Sequence, residues 1–217
     1  MDEPPDICPA CPVRGLPPLQ GELPEVIILG SFPSRQSLQK KEYYGNPMNH
    51  FWHIIEALFS IDRRLPYVVR SSLLVEHRIV LWDVICSCSR EGSADARIRS
   101  PVFNDLAGFL EAFPTLNLVA LNGSSAGRHY HQLNISAPVP AVVLPSTSPA
   151  NTRFTLREKM RRWEIVALGT IQKISIEKCL PSAVEPQENY VIYRIETNEH
   201  CKGITKDCNP VDRVWKR

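Results

Sequence analysis

Asn46 and Asn49 straddle Pro47 in the segment Tyr43-Tyr44-Gly45-Asn46-Pro47-Met48-Asn49-His50-Phe51-Trp52. A carboxamide holds a donor and an acceptor on one rigid group. It can match a nucleobase edge, or hold a water molecule without itself titrating. A second segment, Ile27-Ile28-Leu29-Gly30-Ser31-Phe32-Pro33, is an apolar run feeding a turn. Gly30 lets the backbone approach a ligand, Pro33 stiffens the loop, and Phe32 offers a flat face. A third, Leu144-Pro145-Ser146-Thr147-Ser148-Pro149-Ala150-Asn151, sets hydroxyls between prolines. Hydroxyls and backbone N–H groups hold phosphates. Arg153, Arg157, Lys159, Arg161 and Arg162 follow and add electrostatic attraction. The three stretches together predict a pocket rimmed by backbone donors, with amides and aromatic rings inside. Such a pocket suits a flat, polar, uncharged ligand such as a nucleobase.

Each feature also has a plainer reading. Asn49 is well suited to cap a helix over Phe51–Phe59, a role compatible with function because a helix N-terminus favours polarised ligand groups. Trp52 fits a core, and the arginines fit a solvated helix face. The residues alone do not decide between Asn46 and Asn49. His50-x-x-His53 has no acidic or thiol partner at metal spacing. Cys8-Pro9-Ala10-Cys11 lacks the His-x-Glu of a zinc deaminase. Cys86 and Cys88 could join Cys8 and Cys11 around a metal or iron–sulfur cluster, although the usual cluster spacings are missing. There is no Walker loop, no GxGxxG and no G-x-S-x-G.

Composition narrows the class. The chain has 217 residues, 43% hydrophobic, with a formal net charge of +2. That length supports one domain with a real core plus an appendage. The small charge argues against indiscriminate coating of nucleic acid and leaves room for a local basic groove. Apolar runs are strand-length, so no membrane span is expected. The acidic, proline-rich start lacks the order of a signal peptide, which predicts a cytoplasmic protein. Seven cysteines there read as free thiols or metal ligands, not disulfides.

Several elements must position these residues. Val26–Leu29, Arg78–Ile85, Leu116–Leu121 and Ala141–Leu144 read as strands. Phe51–Phe59, Val102–Phe113, Ser124–Gln132 and Thr155–Trp163 read as helices, the second with Asn104 or Asp105 near its start. Val191–Ile195 is a further candidate strand. This alternation predicts an α/β fold with a central, mostly parallel four-stranded sheet flanked by helices. In such sheets ligands bind beyond the carboxyl ends of the strands. Gly30, Asp83, Asn122-Gly123 and Pro145 all stand at such ends. The expected organisation is a Pro-rich leader over 1–24, a main domain over 25–164 and an extension over 165–217 of unassigned role.

The blocks GSFPS, YYGNPMNHFW, LWDVICSCSREGSADARI, LNGSSAGR and LPSTSPAN, in this order, resemble the hypoxanthine-DNA glycosylase branch (family 6) of the uracil-DNA glycosylase superfamily. The resemblance spans residues 25–163. It implies a monofunctional glycosylase, without metal or other cofactor, acting on double-stranded DNA that contains a deaminated base. The damaged nucleotide is flipped out and its N-glycosidic bond hydrolysed. The superfamily's first motif usually carries an acid or amide that activates water. Gly30–Ser34 has neither, so the resemblance moves that role to Asn49. Asp83 joins it as the residue that organises the pocket. Gly30, Ser31, Phe32, Pro33, Asn46, Phe51 and Asn122 are the implied base-binding residues, with Phe32 and Phe51 stacking. Ser146, Thr147, Ser148, Pro149, Ala150 and Asn151 match the motif that presses on the DNA backbone. A monomer is expected. The rivals are an enzyme of the same superfamily that prefers uracil or another deaminated base, a non-catalytic nucleic-acid-binding module, and a metalloprotein built on the C-x-x-C.

Overall fold

Val26, Ile27, Ile28, Leu29 and Gly30 are all buried. A strand with both faces covered needs no polar alternation, which explains the unbroken apolar run. The structure, a computed structural model, describes residues 12–136 and 138–170, together with 174–175, 191–195 and 213–215. In chain order the first elements are β1 (Val13–Arg14), β2 (Val26–Gly30), α1 (Arg35–Lys40), α2 (Phe51–Phe59) and α3 (Tyr67–Glu76). Then come β3 (Ile79–Asp83), β4 (Ile85–Arg90), a 3-10 turn (Asp95–Arg97), β5 (Ile98–Phe103) and α4 (Leu106–Ala112). β6 (Leu118–Asn122), α5 (Ser124–Gln132), β7 (Ala141–Leu144) and α6 (Leu156–Gly169) complete the first unit, which ends at Thr170.

The central sheet has four strands in the order β3-β2-β6-β7, and every pairing is parallel. Ile27 and Leu29 point to one side and join a core with Leu106, Leu110, Ala126 and Tyr130 of α4 and α5. Val26, of opposite parity, meets α6, where Gly169 lies so close that a β-carbon would press on Val26 and Leu118. The expected α/β sandwich is therefore present. A second sheet, β1-β4-β5, is antiparallel and covers its own small core of Phe32, Ile85, Cys88 and Ile98.

Three expectations need correction. The strand read over Arg78–Ile85 is two strands: β3 ends at Asp83, and β4 leaves in the antiparallel sheet. The helix read over Val102–Phe113 starts only at Leu106, because Val102 and Phe103 pair with β4. Asp105 caps it by accepting from the Gly108 N–H at 2.9 Å. The last helix does not stop at Trp163, because buried Ile165 and Val166 prolong its apolar stripe to Gly169. The boundary at 164 thus falls inside α6. Residues 13–14 of the leader pair with β4, and Leu19 bridges to Leu81.

The second unit, from Ile171, contains β8 (Ile174–Ser175), β9 (Val191–Ile195) and β10 (Arg213–Trp215) in one antiparallel order β10-β9-β8. The expected strand Val191–Ile195 is its middle member. Cys8 and Cys11 lie outside the described residues.

Candidate active site

The parallel register brings Gly30 beside Asp83 and Asn122 beside Leu144, so four distant segments end together at one edge. A ring of contacts closes over that edge. Asn49 Oδ1 accepts from the Phe51 N–H at 2.9 Å, doing the capping work at the start of α2 although His50 is the formal cap residue. Phe51 stacks on Tyr44 with ring centroids 3.8 Å apart. The Tyr44 hydroxyl accepts from Asn122 Nδ2 at 3.0 Å. Asn122 also donates to Thr147 Oγ1 at 2.9 Å and accepts from the Thr147 N–H at 2.9 Å. The Thr147 carbonyl accepts from the His50 N–H at 3.0 Å, which returns to the residue beside Asn49. Among the described residues Asn49 Nδ2 has no hydrogen bond, and the side chain is half-buried.

Asp83 closes the floor. It is 4% exposed, its Oδ2 has no hydrogen-bond partner, and its Oδ1 lies against the Gly30 α-carbon. Burial, reinforced by the Asp95 carboxylate and opposed by Arg90, lifts this carboxyl to about 7. Ser31 donates to Asp95 Oδ2 at 2.6 Å. Arg90 bonds the Pro33 carbonyl and lies over the Phe32 ring, 4.8 Å from its centroid. The Gly30 and Ser31 carbonyls accept from Val84 and Ile85 N–H groups at 2.9 and 3.1 Å. The turn is thereby zipped to the β3–β4 junction. Arg90 and Asp95 were not anticipated; they sit within the LWDVICSCSREGSADARI block, where their charges gave a signal.

Several of the expected base-binding residues have partners within the protein. Phe51 has 0% exposure, enclosed by Tyr44, Trp52 and Trp163, so it is core. Phe32 is 6% exposed and packs in the antiparallel-sheet core under Arg90. Both Nδ2 hydrogens of Asn122 and its Oδ1 are engaged with Tyr44 and Thr147, so it braces Tyr44 against the 146–151 loop. Asn46 Oδ1 accepts from the Met48 N–H at 2.9 Å and its carbonyl from the Asn49 N–H at 2.9 Å, shaping the turn that presents Asn49. Tyr44 was missed. It is half-buried, adopts φ 54°, has one face on Phe51, and its hydroxyl stands near Gly30 and Asp83. The aromatic pair before Gly45 was the available signal. Burial, then the nearby Asp83 charge, pushes its phenol well above the ordinary range.

The 146–151 loop meets the edge from β7. Thr147 is wholly buried, its hydroxyl turned to Asn122; Pro149 and Ala150 are exposed, and Ser146, Ser148 and Asn151 are half-buried. Ser146 packs so tightly on Gly123 that no side chain fits there, and Gly123 has φ 97°. Trp163 Nε1 donates to the Pro145 carbonyl at 3.0 Å and ties α6 to the loop base. Among the described residues no group of three or more His, Cys, Asp or Glu side chains could hold a metal, and Cys86 and Cys88 are free thiols. Among them, too, no helix is long and apolar enough to cross a membrane.

Comparison with known proteins places the chain in a family. Over 154 residues the chain is 40% identical to a hypoxanthine DNA glycosylase of Methanosarcina acetivorans, covering 70% of this chain and 96% of that one. It is 33% identical over 151 residues to a hypoxanthine DNA glycosylase of Methanosarcina barkeri, covering 69% and 94%. A solution NMR structure from Methanosarcina acetivorans, with a provisional uracil DNA glycosylase label, superposes with a TM-score of 0.66 at 37% identity. It covers 75% of this chain and 100% of its own. The family profile described as the uracil DNA glycosylase superfamily matches residues 18–168. The chain belongs to the uracil DNA glycosylase superfamily, whose members are DNA glycosylases.

Proposed function

We propose that this protein is a monofunctional DNA glycosylase that removes a deaminated purine, hypoxanthine first, from double-stranded DNA in base excision repair. It works as a cytoplasmic monomer, unattached to membranes. The observation that carries this reading is the closed ring Asn49–Phe51–Tyr44–Asn122–Thr147–His50 at the strand ends, with one amide hydrogen-bonding group left over at Asn49. The names of the relatives support hypoxanthine as the base.

In this reading the flipped nucleotide enters beside Tyr44, the partly exposed ring of the site, and stacks on it. The bond between the base nitrogen and C1′ breaks with its electrons on the base, leaving a cationic sugar. Asn49 aligns a water whose oxygen adds to C1′. One proton of that water stays on the sugar hydroxyl and the other is released to offset the proton taken by the departing base. The products are free base and an abasic site. Asp83 shapes the floor through Gly30. The 146–151 loop grips the DNA backbone, Pro149 and Ala150 lying outermost. A deaminated purine presents a carbonyl acceptor where adenine presents an amino donor. A donor left unpaired against the wrong base costs about 1–3 kcal/mol, enough to sort the two.

The test is a duplex with a single inosine, incubated with purified protein and treated with alkali. Strand cleavage at inosine, lost in Asn49→Ala while DNA binding persists, is expected. No abasic product from inosine, xanthosine or uracil duplexes sinks the enzyme reading. Uracil cut much faster than inosine moves the substrate to that base.

A further inference from the structure

A lysine stands on the buried stripe of α6. Lys159, Trp163 and Val166 follow one another at helical spacing, and all three have 0% exposure. Lysine is almost never buried whole without partners. Here the partners are Asn151 O at 3.0 Å, Ser148 O at 3.4 Å and His50 Nδ1 at 3.3 Å. An ammonium only donates, so His50 must supply a lone pair and stay neutral. Burial, then Lys159 and His53, lower the imidazole's proton affinity, in keeping with that role.

Four carbonyls of the 146–151 loop, those of Ser146, Thr147, Ser148 and Asn151, are held by internal donors. Ser146 O accepts from Asn151 Nδ2 and Thr147 O from the His50 N–H. Ser148 O accepts from Lys159 and from the Asn151 N–H, and Asn151 O from Lys159. A carbonyl facing a phosphate repels it. Drawing these oxygens onto internal donors leaves the outer surface of the loop without them.

We propose that Lys159 is a positioning residue that never touches DNA: it holds the Ser148 and Asn151 carbonyls away from the backbone phosphates and locks that loop to the Asn49–His50 turn. The inference rests on the reading of the 146–151 loop as the DNA grip. It also assigns one group to two tasks, because the ammonium that builds the grip also fixes the residue after Asn49.

The experiment compares wild type, Lys159→Met and Lys159→Arg. Binding is measured to an inosine duplex, and to one with a tetrahydrofuran abasic analogue, across a salt series. Single-turnover cleavage is measured at saturating protein. For Lys159→Met, affinity is expected to fall about tenfold or more, as for loss of a charged hydrogen-bond hub. The slope of log affinity against log salt should stay unchanged, and the single-turnover rate should fall too. Lys159→Arg should restore part of both. A slope reduced by about 0.9 makes Lys159 a direct phosphate contact and overturns the proposal. A folded Lys159→Met with normal binding and cleavage overturns it as well. If Lys159→Met does not fold, Lys159→Gln, which keeps an NH2 donor group and loses the charge, is measured by the same criteria. Wild type that binds duplex but leaves inosine intact refutes the substrate reading, and the binding arm still decides the role of Lys159. Wild type that binds no duplex refutes both.

Discussion

The Asp83 carboxyl rests against the α-carbon of Gly30, in the space a β-carbon on residue 30 would need. The two residues are register partners at the ends of adjacent parallel strands. Glycine at 30 is thus a requirement of space, set by a side chain on the next strand. Gly30→Ala should displace the carboxyl and reduce single-turnover cleavage. Asp83→Ala should make the added methyl nearly harmless, so the two changes are expected to be strongly non-additive. Additive losses in a double-mutant cycle would disprove the coupling.

Asp83 also sets a pH signature on stability. Its carboxyl is lifted from 3.8 to about 7, chiefly by burial. In the unfolded chain it ionises near its ordinary value, whereas in the folded protein it holds its proton until near neutrality. Below about pH 4 it is protonated in both states and costs nothing. Between there and pH 7 the folded state binds more protons, so stability falls as pH rises, and the full penalty applies above. Asp83→Asn removes this dependence. Its melting temperature relative to wild type should climb from pH 4 to 7 and then level off. A difference that stays flat across that range, read by thermal melts, contradicts the assignment.

Asn122 satisfies three groups with one amide, two of them on buried Thr147. Asn122→Ala strands the Thr147 N–H and hydroxyl, at about 1–3 kcal/mol for each group left unpaired. Chemical denaturation should register a loss of that order, with cleavage reduced because Tyr44 and the loop lose a common brace. Unchanged stability would mean that water or another side chain replaces the amide.

Two stacked rings should behave differently on substitution. Phe51→Ala opens a cavity among Tyr44, Trp52 and Trp163 and should cost about 3–5 kcal/mol of stability. Tyr44→Leu should spare more of the fold and remove about 1–3 kcal/mol of base stacking, visible as a lower single-turnover rate. The reverse pattern, with Tyr44 governing folding and Phe51 governing turnover, would put the base against the other ring.

The sequence made the strand ends legible because β2 and β7 are short apolar runs broken by Gly30 and Pro145. It also made α2 legible through its apolar spacing, and α5 through the Asn122-Gly123 stop before it. It did not show that Val102 and Phe103 belong to a strand, since their partners lie in β4 and the apolar spacing runs on into α4. In the site, the convergence of Gly30, Asp83, Asn122 and the Pro145 turn followed from parallel topology alone. Which way each side chain is spent did not. Whether the Asn122 amide is free depends on Thr147, 25 residues later. Whether Phe51 is a platform or a core ring depends on Trp163 on α6. Such facts reside in long-range packing, so a pattern of residue types marks the neighbourhood of a site without dividing labour inside it.

Phe51 meets Trp52 and Trp163 edge-on, with centroids 5.2 and 6.1 Å away, while its face carries Tyr44. The protein therefore holds two native fluorophores one ring removed from the proposed base-stacking surface. A nucleotide that shifts Tyr44 changes the surroundings of both indoles. Stopped-flow emission could then time the arrival of the base separately from bond cleavage, in unlabelled protein and unmodified DNA.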